Sequence, residues 1–346
     1  MDITLLSLGD LITDPVTGER MTAVERHRTV LDYAVGAEAA GFTGFHVGEH
    51  HAMEYVYSAP PVILSAISQR TTTLRLGTGV TLLANLDPVR VAEDYATLDV
   101  LSNGRVDIVG GRGNIFASVY ELFGQPLEES QARFEENLRL LLQIWTGATI
   151  SWDGRFRPPI KEQQIGPAPV QRPHPPVWVG GGLSKASAEL AATLGLPLML
   201  PVTTFQPAAA FEPAATYYRE RWTELHPTTP PQVGAVFHSC VARTTQQLRE
   251  RFQPRYHAYW DWSKKLIGGT GPLPPFFQQF DFDALVGPEG SAVAGTPEQV
   301  VDKLGHITEL LGLDTAMLFF DLGGTPFGEM RDMVDLTGAE VLPKLR

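Results

Sequence analysis

The chain has 346 residues, of which 43% are hydrophobic, and this is enough apolar sequence to build one large α/β barrel with insertions. Its 39 acidic and 27 basic residues give a net charge of −12, which argues against nucleic acid as the main partner because phosphate binding favours a basic face. No run of 18 apolar residues occurs, so no membrane span is expected.

Cys240 is the single cysteine, so no intrachain disulfide can form and the composition suits a reducing cytoplasm. It lies in the apolar run Gly234–Ala242, which predicts a buried position on a strand. The residues Met1–Leu8 lack a basic segment and a cleavage site, so we expect no signal peptide. These features together predict a cytoplasmic protein.

Short apolar runs alternate with longer amphipathic ones along the chain. The short runs predict eight strands: Ile3–Leu8, Phe42–Val47, Leu74–Leu82, Val106–Val109, Pro176–Val179, Pro197–Leu200, Val233–Ala242 and Thr315–Phe320. The longer runs predict helices at Met21–Ala40, Pro60–Thr71, Pro88–Leu101, Glu128–Trp145, Ser184–Leu194, Ala208–Leu225, Thr245–Trp260, Pro297–Leu310 and Glu329–Leu342. Continuous apolar strands indicate parallel pairing, and eight strand–helix units predict a closed (β/α)8 TIM barrel rather than an open sheet.

Two segments interrupt the alternation. Residues 149–171, after strand 4, are polar and proline-rich and predict a small hairpin. Residues 263–295, after strand 7, are rich in Gly, Pro and Phe and predict a long loop. That loop is either a lid over the site or an inert surface insertion, and its phenylalanines either cover the site or anchor the loop. We therefore expect one barrel domain, residues 1–346, with these two insertions.

The active site of such a barrel lies at the carboxyl ends of its strands. Glu49, His50 and His51 follow strand 2 directly, and imidazole is a natural acid or base near neutral pH. A metal site is less favoured, because neighbouring residues of an extended segment point to opposite sides. A purely structural role for the three residues stays open.

Two glycine-rich runs follow strands 4 and 5, at Gly110–Asn114 and Gly180–Ser184. Glycines let backbone N–H groups approach an anion, and Arg112 can add a cationic clamp. The second run leads into a helix that contains Ser187, and a helix N-terminus favours phosphate. Tight turns explain either run alone, and neither is a P-loop or a complete dinucleotide fingerprint. Together, at adjacent strand ends, they favour a phosphorylated cofactor.

At these residues the sequence resembles the bacterial luciferase-like flavin-dependent monooxygenases. The resemblance extends over nearly the whole chain, and its specificity lies in the order and spacing of several motifs rather than in one. The matching stretches are Gly41-Phe42, Gly48–His51, Leu76–Val80, Asp87–Asp94, Leu98–Arg105, Gly110–Gly113, Pro176–Gly182, Ala191–Pro197 and Gly295–Val300.

The resemblance implies a flavin mononucleotide (FMN) site in which the reduced flavin reacts with dioxygen at its C4a position, giving a peroxide that oxidises an organic substrate. His50 matches the family's histidine beside the flavin ring, which assists proton transfer, and Glu49 and His51 are then supporting groups. A non-prolyl cis peptide behind the ring is expected between Gly79 and Val80. The residues that match the phosphate-binding segments are Arg112, Gly113, Asn114, Gly181, Gly182, Ser184 and Ser187.

Three functions stay in competition. The first is a monooxygenase that receives reduced FMN from a separate NAD(P)H:flavin reductase, since no dinucleotide fingerprint is present. The second is a dehydrogenase that uses the deazaflavin F420 on the same barrel, although few basic residues near Arg112 would meet its longer anionic tail. The third is a non-catalytic flavin-binding protein. The substrate stays open among aldehydes, alkanes, sulfonates and cyclic ketones.

Members of the family often form dimers or tetramers through their early helices. A homo-oligomer is therefore expected here, with Met53–Arg70 and Glu93–Leu101 as the places for an exposed apolar patch.

Overall fold

The computed structural model describes residues 1–52, 54–268, 277 and 279–345. Its strands are β1 (Asp2–Ser7), β2 (Gly44–Val47), β3 (Arg75–Thr81), β4 (Val106–Gly110), β5 (Ile150–Trp152), β6 (Ile160–Gln163), β7 (Val177–Gly180), β8 (Leu198–Pro201), β9 (Val233–Val241), β10 (Val293–Gly295) and β11 (Thr315–Phe319). Strands β1, β2, β3, β4, β7, β8, β9 and β11 pair in parallel in this order, and β11 pairs with β1. The ring is therefore closed, and the predicted (β/α)8 barrel is confirmed.

Helices lie between the barrel strands. They are α1 (Ala23–Ala40), α2 (Pro60–Ser68), α3 (Pro88–Ser102), α4 (Ala117–Leu122), α5 (Ser130–Trp145), α6 (Lys185–Leu194), α7 (Glu212–Leu225), α8 (Thr245–Gln247), α9 (Gln253–Gly268), α10 (Phe282–Val286), α11 (Pro297–Leu311), α12 (Phe327–Glu340) and α13 (Leu342–Leu345). A π-helical turn, Leu248–Phe252, joins α8 to α9. In the part of the chain that is described, no helix is long and apolar enough to span a bilayer.

Local sequence signals set the helix ends. Thr22 and Glu25 form a capping box at the start of α1, and Gly41 ends that helix in the left-handed conformation with φ 90°. Asp87 accepts hydrogen bonds from the first turn of α3, as its position before a proline predicts. Cys240 is buried on β9, also as predicted.

The two segments outside the strand–helix alternation differ in their outcome. The first contains the antiparallel pair β5–β6, which is the predicted hairpin. The second is not one long loop in its described part: α9 continues to Gly268, α10 is capped by Asp281, and β10 pairs with β9. The loop prediction is wrong there because α10 and β10, of five and three residues, are too short to show periodicity. Residues 269–276 and 278 lie outside the described residues.

The strand register fixes which side chains point into the barrel. A Cβ added to Gly79 would lie 3.0 Å from Leu6 and 3.2 Å from the sulfur of Met317, so these residues face the interior. Phe319 stands two residues beyond Met317 on the same face and is in register with His238 of β9. Phe319 and His238 therefore point inward at the carboxyl ends of their strands, where the barrel opens.

Candidate active site

Glu49 connects the carboxyl ends of β2 and β3. Its Oε1 atom lies 2.8 Å from His51 Nε2, and its Oε2 atom accepts a hydrogen bond of 2.9 Å from the backbone N–H of Leu82. Its own N–H donates to the carbonyl of Val80 at 3.2 Å. The side chain is 3% exposed, so it acts as a buried brace rather than a surface carboxylate.

His50 points away from this brace. Its ring stacks on that of Tyr55, with centroids 3.8 Å apart and planes 13° from parallel, and Phe116 meets it edge-on at 5.9 Å. Burial lowers the pKa of His50 to about 3, and the neighbouring His51 acts in the same direction. The imidazole is therefore neutral near pH 7 and offers one ring nitrogen as a hydrogen-bond donor and the other as an acceptor.

His50 and His51 face different surroundings, as expected for neighbours in an extended segment. Tyr55 packs on the first ring, whereas Glu49 and Phe123 contact the second. Across the described residues, no group of three or more His, Cys, Asp or Glu side chains is arranged to hold a metal ion.

The peptide bond between Gly79 and Val80 is cis, as predicted. The Val80 side chain lies against the ends of β4 and β7. A Cβ added to Gly111 would come within 2.7 Å of Val80 Cγ2, and one added to Gly180 within 3.3 Å of Val80 Cγ1. The glycines thus let three strand ends approach one another at this point.

The turn after β4 holds the predicted anion-binding residues Arg112, Gly113 and Asn114. Gly113 has φ +64°, and a Cβ there would lie 2.4 Å from the side chain of Leu82, so both conformation and space require glycine. The hydroxyl of Tyr120 donates to the carbonyl of Arg112 and fixes the turn from α4. Arg112 is half-buried and Asn114 is exposed.

The run after β7 is only partly available to a ligand. Gly181 already donates its N–H to the carbonyl of Met199 at 2.9 Å, and a Cβ on it would lie 2.9 Å from Ser187. Ser184 caps α6 by accepting from the N–H of Ala186. Ser187 is buried and Gly182 is exposed with open space beside it. Gly181 thus serves close helix–strand packing, while Gly182 and the α6 terminus face open space.

Asn85 lies beside the predicted site, and the sequence reasoning did not single it out. It follows β3 and is 7% exposed, yet neither its amide nitrogen nor its amide oxygen has a hydrogen-bond partner within the described residues. Leaving both atoms of a buried amide unpaired is costly, so this position is typical of a group that meets a ligand. Apolar periodicity predicts the strand that precedes Asn85, but it does not distinguish a core asparagine from a binding one.

Aromatic side chains surround His238 at the opening of the barrel. Phe205, Tyr259 and Phe319 lie 5.1, 5.3 and 5.8 Å from its ring, and Tyr256 OH lies 3.2 Å from its Nδ1 atom. Burial lowers the pKa of His238 to about 3, so this second buried imidazole is also neutral.

The described phenylalanines of the second insertion reach this aromatic group. Phe277 packs on Phe205 at 5.4 Å and on Trp260 at 6.1 Å, and Phe280 stacks on His257. They anchor the segment to α9 and also extend the apolar wall beside the opening. Phe276, which was predicted with them, lies outside the described residues.

A family model, a protein relative and a solved structure were compared with this chain, and all three are monooxygenases. The family model described as luciferase-like monooxygenase matches residues 1–315. A luciferase-like monooxygenase of Escherichia coli is 30% identical over 277 residues, which cover 80% of this chain and 77% of that protein. The crystal structure of monooxygenase RslO1 from Streptomyces bottropensis has a TM-score of 0.87 and 26% identity, and the match covers 100% of both chains.

Two partial matches bear on the cofactor. The oxygenase component of a flavin-dependent trigonelline monooxygenase from Acinetobacter baylyi is 28% identical over 164 residues, 46% of this chain and 45% of that protein. An F420-dependent glucose-6-phosphate dehydrogenase of Mycobacterium avium is 31% identical over 137 residues, 37% of this chain and 41% of that protein. Relatives with either cofactor are therefore similar to this chain.

Proposed function

The chain belongs to the luciferase-like monooxygenase family, and we propose that it is an enzyme that oxidises a small organic substrate with reduced FMN and dioxygen. The observation that carries the proposal is the arrangement at the ends of β2 and β3. There Glu49 braces His51 and Leu82, while the neutral ring of His50 packs against Tyr55 instead. A half-buried, neutral imidazole at a barrel opening can hydrogen-bond to a bound ring, and a ligand that stabilises its protonated form would allow it to take part in proton transfer.

The residues present fit a phosphorylated flavin. Asn85 offers a buried amide with a free donor and a free acceptor, which suits the alternating polar edge of a flavin pyrimidine ring. Gly113 lets the turn after β4 pack closely on the side chain of Leu82, where a Cβ would clash. Arg112, Gly113 and Asn114 would hold the phosphate from β4. From β7 the contributing residues would be Gly181, Gly182, Ser184 and Ser187, with Gly181 acting through packing because its N–H is engaged.

When bound, reduced flavin supplies two electrons to dioxygen, so that one oxygen atom enters the substrate and the other leaves as water. In this proposal Gly79 and Val80 support the ring from behind, and His50 accepts or returns a proton at its edge. Glu49 and His51 keep the β2 end in place. The aromatic group around His238 excludes water, which protects a reactive oxygen species from decay.

A separate flavin reductase is the proposed partner. The trigonelline relative is itself named as an oxygenase component, which supports a two-component system. Since Cys240 leaves no disulfide to form, we also place this chain in the reducing cytoplasm, where such a reductase would operate.

An F420-dependent dehydrogenase is the second candidate, supported by the partial match to such an enzyme. Titration with FMN, reduced FMN and F420, followed by rapid mixing with dioxygen, separates the candidates. An absorbance transient that requires protein, reduced FMN and oxygen supports the monooxygenase. Tight F420 binding without an oxygen-dependent signal overturns it. Flavin binding without oxidation of any aldehyde, alkane, sulfonate or cyclic ketone points to a non-catalytic binder.

The phosphate assignment has its own test. Arg112→Ala should weaken binding of FMN much more than binding of riboflavin, which lacks the phosphate. Arg243→Ala is the control, because its side chain is 72% exposed and pairs with Glu340 of α12. Equal losses for FMN and riboflavin in Arg112→Ala would remove the arginine from the phosphate site.

We also propose that the chain self-associates through α2 and α3. Val62 on α2 is 69% exposed, and Val100 and Leu101 on α3 are 49% and 52% exposed. The two helices pack side by side, so these apolar side chains lie on neighbouring elements. Exposed apolar side chains on adjoining helices favour an interface with a second copy.

A further inference from the structure

Phe205 has an unusual backbone conformation for a residue with a bulky side chain. It lies in the connection after β8, and its φ of 58° is in the left-handed region. In the part of the chain that is described, Ala52, Glu54, Asn103 and Glu162 are the other non-glycine residues with such a φ. The left-handed region disfavours a Cβ, and a phenyl ring has no polar atom that could bond to the nearby backbone in return. A bulky residue persists in this conformation where contacts elsewhere enforce it, and such residues are concentrated at functional sites.

The ring of Phe205 packs on three other rings. Its centroid lies 5.1 Å from that of His238, 5.6 Å from that of Tyr256 and 5.4 Å from that of Phe277. Separations of this size are favourable for aromatic pairs. The three neighbours belong to β9, to α9 and to the second insertion, so Phe205 joins these segments at the opening of the barrel. Its packing there holds the unusual backbone in place.

Phe205 is the member of this group that is most able to move. The side chains of His238, Tyr256 and Phe277 are 3%, 0% and 2% exposed, whereas Phe205 is half-buried. Residues 202–207 form neither a helix nor a strand, and such connections rearrange more readily than packed elements. Movement of Phe205 also lets its backbone leave the left-handed region, which lowers the cost of the movement.

The place that the Phe205 ring occupies lies at the mouth of the barrel. His238 points inward at the carboxyl end of β9, and substrates of such barrels bind at that face. Tyr259 and Phe319 also pack on His238, at 5.3 and 5.8 Å, so the surroundings continue as aromatic surface. These surroundings favour a flat, uncharged group, because a charged group would lose its hydration there.

We propose that Phe205 holds the place of a substrate ring, and that the substrate carries a flat, uncharged aromatic group that displaces it. An aromatic group gains the ring contacts that Phe205 gives up, whereas a linear alkyl chain gains apolar burial alone. Among the substrate classes left open, aromatic aldehydes and ketones are therefore favoured over alkanes and sulfonates. Phe205 determines specificity and takes no part in proton transfer. The inference rests on the proposed function, because it names the substrate class of that site.

The first test is thermal unfolding of the flavin-free variants Phe205→Ala and Phe205→Gly. Both variants lose the ring, so their difference reports on the backbone alone. Glycine adopts a left-handed φ without a steric cost, so Phe205→Gly should have the higher Tm of the two. The same order is not expected at an ordinary position, because glycine loses more conformational freedom on folding than alanine.

Phe156 provides the matched control pair, Phe156→Ala and Phe156→Gly. It is also a half-buried phenylalanine, its φ is outside the left-handed region, and its ring packs on Arg133 and Arg155. Here the glycine variant should have the lower Tm. A lower Tm for glycine at both positions would show that Phe205 is not held in a left-handed backbone and would overturn the proposal. That result would not touch the proposed function.

The second test is binding of acetophenone and 2-octanone, measured by equilibrium dialysis with and without oxidised FMN. These methyl ketones have the same number of carbon atoms, and only acetophenone has an aromatic ring. Wild type should bind acetophenone more tightly than 2-octanone. Phe205→Ala and Phe205→Gly should bind acetophenone about 10-fold more tightly than wild type does, because the ring that competes for the place is gone. The gain for 2-octanone should be smaller, and Phe156→Ala should bind both ketones as wild type does.

Equal gains for the two ketones in the Phe205 variants, no gain for acetophenone, or no measurable binding of either ketone would overturn the proposal. The dialysis contains no reductant, so none of these results bears on the oxygen chemistry. Absence of the oxygen-dependent absorbance transient would instead overturn the proposed function and leave the measured preference for a ring unchanged. Phe205→Gly keeps the test available if Phe205→Ala does not fold, because glycine has the lower backbone cost at this position.

Discussion

The carboxylate of Glu49 and the backbone N–H of Leu82 are joined by a hydrogen bond of 2.9 Å. The side chain of Leu82 in turn packs closely on Gly113. A Cβ added to Gly113 would lie only 2.4 Å from Leu82 Cδ2. The end of β2, which carries His50, is thus mechanically connected through β3 to the turn that carries Arg112. A substitution of Glu49 should therefore also alter the conformation of the turn that carries Arg112.

Glu49→Ala should destabilise the protein by about 1–3 kcal/mol, because it leaves the Leu82 N–H and the His51 ring without their buried partner. Glu49→Gln keeps an oxygen that can accept from Leu82, so its loss should be smaller. Denaturant unfolding of both variants measures the difference. Equal losses would mean that the charge of Glu49, rather than its hydrogen bonds, stabilises the site.

His50→Ala should lower turnover by about 10²–10⁴-fold if His50 transfers a proton. His51→Ala should have a smaller effect on turnover, because that ring packs on Phe123 and supports Glu49. Steady-state kinetics with the reduced flavin held saturating provides the comparison. Near-normal turnover in His50→Ala would return His50 to a structural role.

The lowered pKa of His50 also predicts a dependence of stability on pH. Its pKa is lowered from 6.5 to about 3, so the folded state binds fewer protons than the unfolded state between these values. The stability is thus fully present above about pH 6.5 and is lost as the pH falls toward 3. The Tm of the flavin-free wild type should fall more steeply from pH 7 to pH 4 than that of His50→Ala. A steeper fall in the variant would show that His50 is not buried as a neutral ring.

The sequence predicted the barrel and its order of strands because each strand is a continuous apolar run and each helix has an apolar face. It also predicted the place of Glu49, His50 and His51, since strand ends are marked by a change of composition. It did not predict that Gly181 donates its N–H to Met199, because a glycine run that packs a helix looks like one that binds an anion.

Residues whose role depends on distant neighbours were also beyond the sequence. Asp10 and Asn85 follow strands like many other polar residues. Only the packing shows that the carboxyl groups of Asp10 and Asp321 are buried together with a single cation, Arg26. Only the closed strand ends show that both polar atoms of Asn85 lack partners within the described residues.

Gly113→Ala should impair both stability and flavin binding. The left-handed φ of +64° disfavours any Cβ by about 1–2 kcal/mol, and contact with Leu82 adds to this. Gly18→Ala is the matched control, because Gly18 has φ +76° but no atom within 4 Å of an added Cβ. Gly113→Ala should lose more stability than Gly18→Ala and should bind FMN more weakly. Identical effects would show that the clash of the new Cβ with Leu82 adds no penalty.

Val62→Glu and Leu101→Glu should shift the protein toward monomer in sedimentation or light-scattering measurements, because they place charge on the proposed α2–α3 interface. An apolar patch loses its favourable burial when a carboxylate must be desolvated there. Leu225→Glu is the control, since Leu225 is 41% exposed at the end of α7, on another side of the barrel wall. If Leu225→Glu shifts the equilibrium and the other two do not, the interface lies elsewhere. A wild type that is monomeric at micromolar concentration would exclude a stable interface at this patch.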